Sequence, residues 1–94
     1  MEFEWDPIKS KLNLQKHGIS FDEAKEIFLG KVLTAEDNRK EYGEKRLISI
    51  GSILDIIVLV VVHTDRKKRT RIISARKANK KEKEMYYEYL KKKT

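Results

Sequence analysis

Ile56-Ile57-Val58-Leu59-Val60-Val61-Val62-His63-Thr64 is the stretch on which the fold turns. Its apolar run, Ile56 to Val62, falls far short of the ~20 residues a membrane-spanning helix needs. Nearly every member is β-branched, a shape that crowds a helix and suits a pleated sheet. An apolar run without alternation predicts a strand covered on both faces, and so an interior strand. On its C-terminal side, Asp65 to Arg69 reads as a charged turn and Thr70 to Ala75 as the last strand. On its N-terminal side, Gly51 to Asp55 reads as a turn, Arg46 to Ile50 as an alternating strand, Asp37 to Tyr42 as a loop, and Lys31 to Glu36 as another strand. Strands joined this shortly pair antiparallel, because a parallel pair needs a crossover of a dozen residues or more.

The period is helical further out. Phe3-Glu4-Trp5 alternates like a short strand, and Asp6-Pro7 opens a helix with an N-cap and a proline at the first helical position. That helix runs to about His17, with Ile8, Leu12 and Gln15 on one stripe and Gly18 as C-terminal cap. Ser20 and Glu23 form a capping box, with Ile19 placed for a hydrophobic staple. A second helix follows, with the stripe Phe21, Ala24, Ile27 and Phe28, and stops at Gly30. A terminal helix spans about Lys77 to Lys92, with Ala78, Met85, Tyr86, Tyr89 and Leu90 on one face. The predicted order is β-α-α-β-β-β-β-α. The fold class is α+β: an antiparallel meander with an N-terminal helical hairpin and a C-terminal helix.

The 94 residues suffice for a single domain, 1–94, with 91–94 as a basic, frayed tail. The chain has no cysteine, which excludes disulfides, thiolate metal clusters and thiol catalysis and fits a cytoplasmic protein. The acidic start, Met1-Glu2-Phe3-Glu4, is unlike a signal peptide. Net charge is +7, but from Arg66 to Thr94 thirteen basic residues face three acidic ones, a net +10, leaving −3 for the first 65. Such asymmetry points to a polyanion-binding end, whose partner is nucleic acid, an anionic membrane surface or an acidic protein. A solvated helix face with a lysine tail is the plainer reading.

The sequence offers no cofactor and no metal site. His17 and His63 are not spaced as a helical ligand pair, and Glu36, Asp37 and Asp65 read as isolated surface acids. Serine-nucleophile and phosphate-loop motifs are absent. Cations remain, with a few groups that move protons. RNA carries its own nucleophile, the 2′-hydroxyl, so its cleavage asks only for a base, an acid and cations around the phosphorane. His63 ends the central strand with a side chain suited to either proton-transfer role. Arg71 and Arg76 offer guanidinium groups for a phosphate. Glu82 and Tyr86 follow on the terminal helix, and Lys16 and His17 end the first. By strand parity Arg71 points opposite to Ser74 and Arg76 unless a bulge intervenes, which favours Arg76 as the arginine beside Glu82. Each has a structural alternative: a helix C-terminal charge for His17, a strand-end residue for His63, a surface acid for Glu82, core packing for Tyr86 and Tyr89.

Trp5-Asp6-Pro7, Lys9, Asn13, Lys16-His17-Gly18-Ile19-Ser20-Phe21 and Glu23-Ala24 resemble the N-terminal signature of the BrnT family of toxins. Val60-Val61-Val62-His63-Thr64, then Arg71-Ile72-Ile73-Ser74-Ala75-Arg76-Lys77-Ala78 and Glu82, are similar to its C-terminal signature. The resemblance implies a RelE-like fold and a metal-independent endoribonuclease toxin of a type II toxin–antitoxin pair. Such a toxin cleaves RNA to stop translation and is neutralised by a BrnA-type antitoxin. The matching positions are Lys16, His17, His63, Arg71, Arg76 and Glu82, with His63 standing where the family often has tyrosine. Arg66, Lys67, Lys68, Arg69, Lys77, Lys80 and Lys81 are the candidate RNA-binding residues. Two rival readings use the same cations without catalysis: a nucleic-acid-binding module, and a basic surface that chiefly docks an acidic antitoxin.

Overall fold

In a computed structural model, which describes residues 1–92, the chain forms five strands and three α-helices in the predicted order. Strand β1 is Glu2–Glu4, helix α1 Pro7–His17 and helix α2 Phe21–Ala24, continued by a 3₁₀ segment, Lys25–Leu29. Strands β2 (Leu33–Glu36), β3 (Leu47–Ile53), β4 (Ile57–Arg66) and β5 (Arg69–Lys77) follow, then helix α3 (Lys80–Lys92). The sheet order is β1-β5-β4-β3-β2, so the β-branched strand β4 lies at its centre. Lys91 and Lys92 belong to the last turn of α3; the rest of the expected tail, 93–94, lies outside the described residues.

The antiparallel expectation holds for β2 to β5 and fails for β1, which pairs parallel with β5, Phe3 opposite Thr70. The sheet is therefore mixed. The turn-length rule governs neighbours in sequence, whereas β1 and β5 come from opposite ends of the chain. Phe3 anchors β1 by packing on the core at 5.5 Å from the Phe28 ring, while Glu4 takes a hydrogen bond from Arg71 at 2.8 Å. Two turns also shift. Gly51 to Ile53 belong to β3, and the β3–β4 turn is Leu54 to Ile56. The β4–β5 hairpin closes on Lys67 and Lys68 alone, both at positive φ, as a two-residue hairpin requires.

Each sheet face carries its own core. On one, Leu59, Val61, Ile72 and Ala75 pack under Ile19, Phe21, Ala24 and Ile27. On the other, Ile50, Val58 and Val60 pack with Ala78 and Tyr86 of the α3 side. The capping box at Ser20 and Glu23 is formed, and Gly18 caps α1 at φ 73°, where its N–H reaches Leu14 O. The predicted stripe of α1 is not the packed one: Ile8 and Leu12 are 70% and 56% exposed, and the buried residue is Asn13. Its side-chain amide donates to Ala75 O at 2.8 Å and accepts from Ala75 N at 3.3 Å. Asn13 thus fastens α1 to the open edge of β5.

Gly51 marks where the 3₁₀ segment meets β3. A Cβ there would stand 2.8 Å from Ile27 Cβ and 2.9 Å from Val32 Cγ1. Gly51→Ala is therefore expected to overpack the core by about 2 kcal/mol, lowering Tm by on the order of 10 °C. Gly30→Ala, with open space around it, should leave Tm nearly unchanged in the same thermal melts.

Candidate functional site

Four elements converge on a cleft of about 260 Å³ over the sheet face that carries Val60 and Val62. Helix α1 ends there with His17, β5 contributes Ser74 and Arg76, the start of α3 contributes Glu82, and the 37–46 loop contributes Arg39. Of four roomier recesses among the described residues, those of about 340 and 530 Å³ flank the Tyr86–Leu90 and Met85–Tyr89 parts of α3 and present neither an imidazole nor a guanidinium, and those of about 270 and 290 Å³ hold Arg66 and Arg46 but no imidazole.

Arg76 and Glu82 form a two-pronged ion pair, with Nη1 and Nη2 each 2.7 Å from a carboxylate oxygen. Glu82 is fixed from its own helix as well: Asn79 N–H donates to Oε1 at 2.9 Å, and Glu82 N–H donates to Asn79 Oδ1 at 2.8 Å. This reciprocal cap orients the carboxylate independently of the arginine. Arg76 foremost, helped by the Asn79 amide and opposed by burial, pulls the Glu82 pKa down to about 2. Glu82 is then a carboxylate throughout the neutral range and suits holding Arg76 better than delivering protons.

The 37–46 loop is organised by Asp37, which by sequence alone is an isolated surface acid. It is instead buried, because the loop folds its polar groups onto it. Arg39 donates to Oδ1 from Nε at 2.8 Å and to Oδ2 from Nη2 at 2.9 Å, and Tyr42 Oη donates to Oδ2 at 3.0 Å. Asp37 N–H bonds Arg46 O at 2.8 Å, closing the loop. The Arg39 bonds hold the Asp37 carboxyl far below the usual carboxylate range. Arg39 is the cleft residue that sequence reasoning missed. Its only signal was an acid two residues earlier, a spacing that occurs by chance in any charged loop.

His63 is not in the cleft. It shares the opposite sheet face with Leu59 and Val61, is 5% exposed, and meets the Phe28 ring edge-on at 5.1 Å. Its Nε2 lies 2.7 Å from Ser49 Oγ, which lies 2.7 Å from Thr34 Oγ1, while Nδ1 is buried without a partner. Burial lowers its pKa, partly offset by the charge of Asp65.

Arg71 shows how a bulge changes parity without making a site. Val62 pairs with Ser74 but His63 with Ile72, so Ile73 is an extra residue in β5. The shift turns Arg71 to the same face as Arg76, yet it stands five residues along the strand, about 16 Å, and is paired with Glu4. Lys16 is exposed on the last turn of α1, beside His17 but not lining the cleft. Tyr86 is a core residue whose hydroxyl donates to Lys31 O at 2.9 Å. The RNA-binding candidates fall into two groups. Lys77, Lys80 and Lys81 lie at the β5–α3 junction near Arg76. Arg66, Lys67, Lys68 and Arg69 form the hairpin tip at the other end of β5, about 25 Å away, where Arg66 is paired with Glu44 and Arg69 with Glu2. No cluster of three or more metal-ligating side chains occurs among the described residues, nor any helix long and apolar enough to cross a membrane.

A family model described as the ribonuclease toxin BrnT of type II toxin–antitoxin systems matches residues 5–82, a span that includes His17, Arg39, Arg76 and Glu82. Among solved structures, the chain is similar to the 1.1 Å crystal structure of the Brucella abortus ribonuclease toxin BrnT, at 25% identity and a TM-score of 0.63. That match covers 85% of this chain and 99% of the Brucella chain. No curated protein gives a significant match.

Proposed function

The chain belongs to the BrnT family of ribonuclease toxins of type II toxin–antitoxin systems, and on that premise we propose that it is a metal-independent endoribonuclease working in the His17–Arg76–Glu82 cleft. The convergence of an imidazole and a braced guanidinium from three separate elements carries this reading. In the proposed reaction the RNA 2′-oxygen bonds to phosphorus as the bond from phosphorus to the 5′-oxygen breaks. The 2′-hydroxyl proton goes to a base and the 5′-oxygen receives one from an acid, leaving a 2′,3′-cyclic phosphate and a 5′-hydroxyl. His17 is suited to one of the two transfers. Arg76, backed by Glu82, is suited to the charge that builds on the phosphorane. His63, buried under Phe28 across the sheet, supports the fold in this reading.

In the cell the consequence is arrest of translation, relieved by an antitoxin of the BrnA type whose acidic segment covers the basic surface. The RelE-like character of the fold is part of the same proposal. Purified protein incubated with RNA should yield cyclic-phosphate ends at the same rate with and without EDTA. Loss of cleavage in EDTA would overturn metal independence. RNA binding without any cleavage would leave a nucleic-acid-binding module.

A further inference from the structure

We propose that Arg39 is a second phosphate-contacting cation of the cleft, held by the buried carboxylate of Asp37 so that its exposed guanidinium meets the RNA phosphate opposite Arg76. The phosphate being that of RNA rests on the ribonuclease reading; the two-arginine anion site does not.

The two guanidinium groups are built alike and are not equally free. Arg76 commits both terminal nitrogens to Glu82 and sends Nη1 also towards Lys77 O at 3.3 Å. Arg39 commits Nε and Nη2 to Asp37, and its side chain is 68% exposed against 44% for Arg76. Its backing is the firmer, since Asp37 is buried and also receives Tyr42 Oη and the Arg39 N–H at 3.2 Å. A carboxylate so saturated keeps its geometry when an anion pulls on the arginine. Arg39 is itself mostly exposed and lines the cleft wall together with Arg76.

Electrostatics explains what such an arrangement is for. Arg39 lies close enough for its charge to act on Arg76, as the smallest influence on that arginine after Glu82 and burial, and an anion between the two would be drawn by both. Each arginine has its own carboxylate behind it rather than sharing one across the gap. A dianionic phosphorane gains more from the pair than a monoanionic diester does, which is the differential binding that catalysis requires. Arg39 touches substrate in this scheme; Asp37 acts through Arg39 and is a positioning residue.

The test pairs inorganic phosphate titration, read by the NMR signals of the arginine Nε–H groups, with cleavage kinetics on RNA. In the wild type, phosphate should shift Arg39 and Arg76 together with one dissociation constant. Arg39→Ala leaves the buried Asp37 carboxylate without its two-pronged partner and should lower Tm; at temperatures where it is folded it should weaken phosphate binding several-fold and lower kcat by about 30-fold or more, with a smaller change in KM. Arg39→Lys should recover only part of kcat, since a compact ammonium on a flexible stem lacks the planar fork that fits both oxygens of Asp37. Asp37→Asn should lower kcat in the same direction. A phosphate response confined to Arg76, or turnover of Arg39→Ala within two-fold of wild type, would overturn the proposal. If phosphate moves both arginines but the wild type cleaves no RNA, the anion site stands and the ribonuclease reading falls.

Discussion

Arg76→Ala is expected to slow RNA cleavage by about 100-fold or more while RNA affinity falls only slightly. Loss of one well-placed donor to a developing oxyanion costs about that much in rate. Binding is different in kind: it sums many phosphate contacts, and removing one should lower the salt slope by about one contact. With 22 lysines and arginines in the chain, that loss is diluted. Arg76→Lys should recover little, because an ammonium cannot match both oxygens of Glu82, each now 2.7 Å from a guanidinium nitrogen. Lys92→Ala, at the end of α3, serves as the contrast, with slightly weaker binding and nearly normal turnover. Single-turnover cleavage and fluorescence anisotropy separate the two quantities. Equal weakening of binding by both variants, in a protein that shows no cleavage, would mean that Arg76 is one cation among many.

The parts of this molecule legible in its sequence are those written in local chemistry. The β-branched run had to be an interior strand, and Asp6, Gly18, Ser20 and Glu23 mark helix ends through bonds that span at most four residues. What was not legible depends on partners distant in the chain. Hydrophobic periodicity assigned the packed face of α1 to Ile8 and Leu12, whereas Asn13 packs because its amide imitates a strand partner for Ala75, 62 residues away. The parallel β1–β5 pairing is equally remote. Within the candidate site, Arg76 and Glu82 lie six residues apart across a strand–helix junction, a proximity the sequence reading caught. Arg39 was invisible because its place follows from the burial of Asp37, and charged pairs in loops do not announce which member is inside. The side of the sheet that His63 occupies was hidden for a related reason. In a strand apolar on both faces, parity places His63 with Val61 and Leu59 but does not say which face the cleft occupies.

The two histidines should therefore part company under mutation. His17→Ala is expected to lower turnover by about 100-fold or more, the usual range for a lost proton-transfer group, with little change in Tm because its ring lines an open cleft. His63→Ala should do the reverse, lowering Tm while each folded molecule turns over nearly as fast as wild type. It deletes a ring packed on Phe28 and leaves Ser49 Oγ, fully buried, short of a partner. Acidity gives an independent reading. His63 titrates below its ordinary 6.5 in the folded chain because burial penalises the imidazolium, whose Nδ1–H would have no acceptor. Between that lowered value and 6.5 the unfolded chain binds a proton that the folded chain refuses. Its contribution to stability is thus complete above about 6.5, declines as pH falls below it, and levels off once the folded histidine also protonates. Denaturant melts from pH 7.5 to 5 should show this decline in the wild type and in His17→Ala, and a flatter profile in His63→Ala. Should His63→Ala abolish cleavage at unchanged Tm, with the acid decline intact, the catalytic imidazole would be His63 and the cleft would have to open through the Phe28 side of the sheet.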